Sequence, residues 1–242
     1  MIPRSLERHS RWVEDGTAQF LRLAQAVNSS EFALPVGLPG WTRAHVVAHV
    51  GYNARALTRL VEWARTGIVT PMYASADTRN EEIALGSTLG VPALRNLLLH
   101  SSVHLESAWD SLPEAKWTYP VFTAQGREVP VSETLWLRIR EVWIHGVDLG
   151  CGLSFDDFPA DLVDDLLADV TGLWERKGQG PSLALCPIDR KNVYRVMIGG
   201  SRPTEVLGPA SDLLRWVLGR GVSPGIRPGP GNDQLPELGR WL

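Results

Sequence analysis

One segment near the middle of the chain combines an apolar surround with a stripe of polar side chains. Residues 135–149 read Leu-Trp-Leu-Arg-Ile-Arg-Glu-Val-Trp-Ile-His-Gly-Val-Asp-Leu. Four of its residues form the stripe: Arg138, Glu141, His145 and Asp148. Their spacing of three, four and three residues places them on one face of a helix. Because apolar residues occupy most other positions, we expect this face to point into the protein, where its charges must be paired or bind a metal.

The first 150 residues predict a bundle of four long helices. Apolar residues recur at three- and four-residue steps over residues 4–27, 43–65, 91–112 and 132–149. Thr42 and Ser132 are predicted N-caps whose hydroxyls accept from amides of the first turn, and Gly67 is a predicted helix end. The segment that contains Pro71 and Asn80 is predicted to be a connection, and residues 117–130 an extended connector with a turn. Four helices of this length favour a four-helix bundle.

The pattern changes after residue 150. Residues 156–177 predict a helix, and residues 182–188, 193–198 and 204–207 predict short strands separated by Gly, Pro and Asn. A final helix fits residues 210–218, before a loose segment rich in Pro and Gly at residues 223–230. The predicted fold class is therefore α plus α/β. We predict two domains, a metal-binding helical bundle over residues 1–152 and a smaller α/β domain over residues 153–242.

Charge and composition exclude several classes of partner. The chain has 24 Lys and Arg against 27 Asp and Glu, so it has no basic excess to offset nucleic acid or an anionic membrane. No apolar run approaches the length of a membrane span, and the first 20 residues contain no apolar signal core. The two cysteines, Cys151 and Cys186, form no CxxC motif and are expected to be reduced. These features predict a soluble, cytoplasmic protein.

The polar stripe contains a candidate metal site. Glu141 and His145 are four residues apart, a spacing that lets a carboxylate oxygen and an imidazole nitrogen reach one divalent ion. The same spacing is also common in salt-bridged helix faces, and this alternative stays open. For a third ligand, His49 lies in an apolar stretch, whereas His45 lies in the first helical turn and is expected nearer solvent.

The remaining histidines are predicted to lie on the surface: His9, His100 and His104. Two imidazoles and one carboxylate leave an open position on a metal, which is typical of catalytic zinc, although iron(II) would also suit the set. A di-iron bundle is disfavoured because it requires more Glu ligands at a different spacing from His. The first choice is zinc, with another divalent metal as the alternative.

Three segments together resemble one family. They are Gly40-Trp41-Thr42 with His49 seven residues later, the Arg-x-Arg-Glu-x-x-x-His-x-x-Asp run that ends at Asp148, and the segment from Glu205 to Arg220. They resemble mycothiol-dependent maleylpyruvate isomerases over nearly the whole chain. The resemblance implies a DinB-like four-helix bundle that holds a divalent metal, followed by a smaller C-terminal α/β domain. It also implies zinc ligation by His49, Glu141 and His145, and a place for Arg220 at the active site.

The activity implied by this resemblance is a cis–trans isomerisation within gentisate degradation. Mycothiol, a low-molecular-weight thiol, would be the cofactor, and the dicarboxylate maleylpyruvate would be converted to fumarylpyruvate. Addition of the thiolate to the alkene would permit bond rotation, and elimination would return the thiol. The metal would lower the thiol pKa.

Two arginines are candidates for binding the substrate carboxylates or the enolate. Arg220 is the first candidate, both as a catalytic and as a cofactor-binding residue, and Arg138 is the second catalytic candidate. Structural alternatives are a helix-end contact for Arg220 and an ion pair with Glu141 or Asp148 for Arg138. Asp148 itself is expected to orient a ligand histidine or to pair with an arginine.

Two other functions stay open at the level of sequence. One is a metal-dependent transferase that conjugates mycothiol to another electrophile, and the other is a metal-sensing binding protein. The oligomeric state is also open, with a monomer as the simplest case.

Overall fold

The computed structural model describes residues 2–178 and 180–239, and the chain divides into two compact units, Met1–Gly152 and Leu153–Leu242. The helices of the first unit are α1 (Glu7–Ala26), α2 (Arg43–Thr66), α3 (Ala76–Gly86), α4 (Val91–Asp110) and α5 (Glu133–Asp148). A hairpin of β1 (Pro120–Phe122) and β2 (Glu128–Pro130) precedes α5. The second unit contains α6 (Ala160–Lys177), β3 (Leu183–Pro187), β4 (Tyr194–Val196), β5 (Thr204–Gly208), α7 (Ala210–Val217) and β6 (Arg227–Pro228). The predicted α plus α/β class is confirmed.

Four long helices of the first unit form the bundle. The most extensive contacts join α2 to α4 and α1 to α5, and α2 also packs on α5. Most of α2 is buried, and the apolar residues of α5 are buried around its polar stripe. Gly16 lets α1 approach α5 closely, because a Cβ atom there would lie 2.5 Å from Nε1 of Trp143. The indole N–H of Trp143 donates to the carbonyl of Trp12 at 2.8 Å, which ties the two helices together.

Local sequence signals fix α2 but not the start of α5. Thr42 is the N-cap of α2, and its backbone N–H donates to Nδ1 of His45 at 3.2 Å. Gly67 ends the helix in the left-handed region at φ 78°, where a glycine has no steric cost. The prediction that the Ser132 hydroxyl caps α5 is wrong. Ser132 already has helical dihedral angles and makes no side-chain cap, since an N-cap hydroxyl reaches the first-turn amides from extended backbone.

Two elements of the first unit differ from the expected connections. Residues 76–86 form α3, which begins with Ser75 Oγ accepting from the Thr78 N–H at 3.0 Å. Only Ile83 and Gly86 of α3 are buried, so the helix has almost no apolar period to detect. Residues 120–130 form a hairpin rather than a single connector, with its turn at Gly126, where φ is 77°.

The second unit is a small mixed sheet with two helices. The strand order is β4-β3-β5-β6, with β3 and β5 parallel and the two outer pairs antiparallel. The expected helix start at residue 156 is wrong, because Phe158 is extended before Pro159 and α6 begins at Ala160. The predicted loose segment contains β6, whose pairing with β5 has no sequence signal of its own.

Candidate metal centre

Packing of α2 on α5 brings the three predicted metal ligands together. Nε2 of His49 lies 2.7 Å from Oε2 of Glu141, and Nε2 of His145 lies 3.3 Å from the same oxygen. One ligand atom from each residue lies within 4.8 Å of the others. The imidazole rings are perpendicular, with centroids 4.8 Å apart, and each places its Nε2 near the carboxylate. The predicted inward direction of the polar stripe is confirmed.

The chemistry of this set fits a divalent cation. Oε2 of Glu141 is buried and accepts no hydrogen bond of good geometry from the described residues, although two imidazole nitrogens are near it. His49 is also buried, with 3% of its surface exposed. Two imidazoles and one carboxylate form the ligand set of a catalytic zinc site that keeps a position open. The structure therefore supplies the donors, the burial and the convergence that such a site requires.

Asp148 orients one of these imidazoles. Its Oδ2 lies 2.8 Å from Nδ1 of His145, so a proton on Nδ1 is donated to the carboxylate and Nε2 faces Glu141. A carboxylate in this position fixes the tautomer of a ligand histidine and increases its basicity. Of the two roles expected for Asp148, the geometry shows the contact with the histidine.

The protonation states of the three residues differ in the absence of metal. Burial lowers the pKa of His145, but its hydrogen bond to Asp148 and the adjacent carboxylate of Glu141 outweigh this effect and raise the pKa to about 9. Burial opposes ionisation of Glu141, yet the two imidazoles hold the pKa of its carboxyl well below the usual range. Burial lowers the pKa of His49 despite the nearby carboxylate. At neutral pH the centre therefore contains a carboxylate, an imidazolium and a neutral imidazole.

Comparison with known proteins defines the family. A family model described as the mycothiol maleylpyruvate isomerase N-terminal domain matches residues 13–150, which is more than half of the chain. The chain belongs to the mycothiol maleylpyruvate isomerase family. A crystal structure of the mycothiol-dependent maleylpyruvate isomerase is 44% identical in sequence, with a TM-score of 0.92, and the match covers 99% of this chain and 98% of that chain.

A second structure, of a histidine-to-alanine mutant of the mycothiol-dependent maleylpyruvate isomerase, is 43% identical with the same coverage and TM-score. No match was found among curated protein sequences. The resemblance seen in the sequence is therefore confirmed at the level of the family. In the described part of this chain, no helix is both long and apolar enough to cross a membrane.

The ring of Trp41 packs against two of the candidate metal ligands. Its ring centroid lies 5.3 Å from that of His49 and 6.2 Å from that of His145. The backbone N–H of Trp41 donates to Leu38 at 3.0 Å, across a turn in which Gly40 has φ 77°. The sequence pattern included Trp41 only as part of the family resemblance, since one tryptophan in a loop does not reveal what its ring contacts.

The segment around α3 contributes side chains that sequence reasoning missed. Burial and the charge of Glu141 raise the pKa of Tyr73 to about 12, whereas the charge of Arg79 opposes that rise. Arg79 also helps to lower the pKa of His49. Because these residues lie in a segment predicted as a connection, no apolar period indicated that they would act on the metal centre.

The other histidines do not join the three ligands. His45 is half-buried and its Nδ1 accepts from the backbone at the start of α2. His100 and His104 are exposed on α4, as predicted. His9 is half-buried, and its ring lies 5.8 Å from that of Trp12 and 5.7 Å from that of Trp136, since α1 packs on α5.

Arg138 is buried in the bundle, with 1% of its surface exposed. Its Nη1 donates to the carbonyl of Val50 at 2.7 Å and to Oδ1 of Asn53 at 3.2 Å. Its Nη2 donates to Oγ of Ser102 at 3.0 Å. Among the described residues, neither Glu141 nor Asp148 accepts a hydrogen bond from Arg138, although burial lowers the Arg138 pKa and the charge of Glu141 opposes that effect. Arg138 instead ties α5 to the backbone directly after His49, and its role toward substrate stays a prediction.

Arg220 lies in the second unit, directly after α7. Its Nη1 donates to the carbonyl of Leu218 at 2.6 Å, and its backbone N–H donates to Arg215 at 3.0 Å. The helix-end contact that the sequence offered as a structural alternative is present. Its roles toward substrate and mycothiol stay predictions for this family member.

Proposed function

We propose that this protein is a mycothiol-dependent isomerase that converts maleylpyruvate to fumarylpyruvate. The observation that carries this proposal is the convergence of two imidazoles and a carboxylate in a chain that matches a mycothiol-dependent maleylpyruvate isomerase over 99% of its length. Residues 1–152 would act as the metal-binding domain and residues 153–242 as the C-terminal α/β domain. All three ligands come from one chain, which supports a functional monomer, and dependence on a reduced thiol supports a cytoplasmic location.

The metal proposed for the centre is zinc, held by His49, Glu141 and His145. When bound with an open coordination position, zinc lowers the pKa of a thiol that ligates it. The thiol of mycothiol would be the nucleophile of this chemistry.

The protein side chains prepare this chemistry by holding the ligands in place. Asp148 keeps the proton of His145 on Nδ1, which leaves Nε2 available to the metal. Glu141 supplies one negative charge in a buried setting, where electrostatic interactions are stronger than in water. The ring of Trp41 is stacked on that of His145 and meets that of His49 edge-on, so it would restrict the access of water from that side.

Arg220 is proposed to pair with a substrate carboxylate and to contact the thiol cofactor. A guanidinium binds a carboxylate through two parallel hydrogen bonds, which an ammonium cannot do. The Arg220→Lys variant retains a cation for the helix end, so a purely structural role predicts little change. We expect it to lower kcat/KM at least about tenfold with unchanged zinc content. Arg202→Lys, at an exposed position of the same unit, is the matched control.

The test of the activity follows maleylpyruvate loss and fumarylpyruvate formation with purified protein. We expect turnover to require both mycothiol and the metal, and to cease after chelation until zinc is restored. His49→Ala, Glu141→Gln and His145→Ala should lose zinc and activity together, whereas His100→Ala, at an exposed position, should retain both. Full activity in the three ligand variants would overturn the proposal. A stable thiol adduct instead of recovered mycothiol would identify the transferase alternative.

A further inference from the structure

A cavity lies within the first unit, between α1, α4 and α5. Its volume is about 260 Å³. Val13 and Thr17 line it from α1, Ser102 and Leu105 from α4, and Leu135 and Arg138 from α5. The three metal-ligand candidates are not among the described residues that line it. This cavity is therefore separate from the centre to which the proposed function belongs.

The guanidinium of Arg138 gives the cavity a buried positive charge. The described residues supply three acceptors for its five N–H donors, and all three are neutral groups on Val50, Asn53 and Ser102. None of the Arg138 nitrogens is both fully buried and without a hydrogen-bond partner. Arg138 lines the cavity, so the donors that these three acceptors leave over are the ones we assign to a bound ligand. Burial lowers the pKa of Arg138 and the charge of Glu141 opposes that effect, but no carboxylate accepts a hydrogen bond from the guanidinium among the described residues. A buried guanidinium whose hydrogen-bonded acceptors are all neutral is a favourable partner for an anion.

The other residues that line the cavity indicate the size, the polarity and the charge of a ligand that would fit it. Val13, Leu105 and Leu135 offer apolar contacts, and a cavity of about 150 Å³ already holds a benzene molecule. The available volume therefore fits one ring, or a short chain, with a small polar group. The lining also includes three exposed carboxylates, those of Glu14, Glu106 and Asp110, which disfavour a ligand with more than one negative charge.

We propose that this cavity binds a small monocarboxylate with an apolar body, whose carboxylate accepts hydrogen bonds from Arg138. The apolar body lies among the aliphatic side chains of α1, α4 and α5. This class differs from the dicarboxylate substrate of the proposed function in both charge and polarity.

The test uses 4-fluorobenzoate as the probe and fluorine NMR as the measurement. We expect a dissociation constant in the millimolar range or tighter for a ligand of this size. The neutral 4-fluorobenzamide, which has almost the same shape, should bind at least about tenfold more weakly because it lacks the charge-assisted hydrogen bonds. Equal affinity of the two probes would overturn the proposal.

A carboxylate could also bind a metal, so the titration is made with zinc-loaded and with chelated protein. The proposal requires the same affinity in both, and loss of binding on chelation would assign the probe to the metal centre instead. This outcome leaves the isomerase test unaffected, because that test measures turnover.

Two variants test the location of the bound probe. Thr17 is a half-buried residue of α1 that lines the cavity, so Thr17→Phe should fill the cavity. This variant should weaken 4-fluorobenzoate binding at least about tenfold. Gln19→Phe, also half-buried on α1 but outside the lining, is the matched control and should leave it unchanged. Arg138→Met should abolish the preference for the acid over the amide. Unchanged binding in Thr17→Phe would refute the assignment even if Arg138→Met fails to fold.

Discussion

The electrostatics of the candidate metal centre predict that proposed zinc binding releases a proton. Burial lowers the pKa of His145 in the metal-free protein, but the hydrogen bond to Asp148 and the nearby carboxylate of Glu141 together raise it to about 9. A histidine must lose the proton on its ligating nitrogen before it can bind a metal. The experiment therefore varies the pH across the range in which His145 is still protonated and measures the zinc affinity.

The size of the effect follows from this pKa. At pH 7 a group with a pKa of about 9 is about 99% protonated, so the apparent zinc affinity is reduced about 100-fold relative to a neutral imidazole. The apparent affinity should rise about tenfold for each pH unit between pH 7 and 8.5, and should level off above the pKa. Burial lowers the pKa of His49, so this residue makes no comparable contribution above neutral pH.

The assay combines two measurements on chelated protein. An NMR titration follows the imidazole of His145 directly, and competition with a chelator of known affinity gives the zinc affinity as a function of pH. Asp148→Asn removes a charged partner, so the pKa of His145 should fall toward 6.5 and the pH dependence should move with it. A titration of His145 at or below pH 7 in the unmodified protein would refute the reasoning.

Three further predictions concern stability. Zinc added back to chelated protein should raise Tm in proportion to the logarithm of free zinc, and an unchanged Tm would argue against a specific site. Gly16→Ala forces a Cβ against Trp143 and should reduce the free energy of unfolding by about 1–3 kcal/mol in urea titrations, whereas Gly37→Ala, which meets nothing within 4 Å, should not. Thr134→Val leaves the Trp109 indole N–H, now 2.9 Å from the Thr134 hydroxyl, without its acceptor. The cost should be about 1–3 kcal/mol in the same measurement, and a neutral result would mean that water replaces the hydroxyl.

The sequence could predict the elements that have a strong period of their own. The four bundle helices follow from apolar residues at three- and four-residue steps, and the structure places each within a few residues of its expected bounds. The weakly amphipathic α3 was missed for the same reason, because only two of its residues are buried. Ser132 shows the limit for caps, since a residue of the right type does not cap when its backbone is already helical.

For the candidate metal centre too, one part could be predicted from the sequence and another part depended on the tertiary structure. The spacing of Glu141 and His145 is a property of one helix, so the sequence by itself determined that both face one side and that apolar neighbours direct them inward. The apolar stretch around His49 also predicted which histidine joins them. Where the Trp41 ring lies and which groups bond Arg138 were decided only by the tertiary packing. The physical reason is that helical periodicity depends on neighbours a few residues away, whereas contacts between helices depend on how distant segments pack.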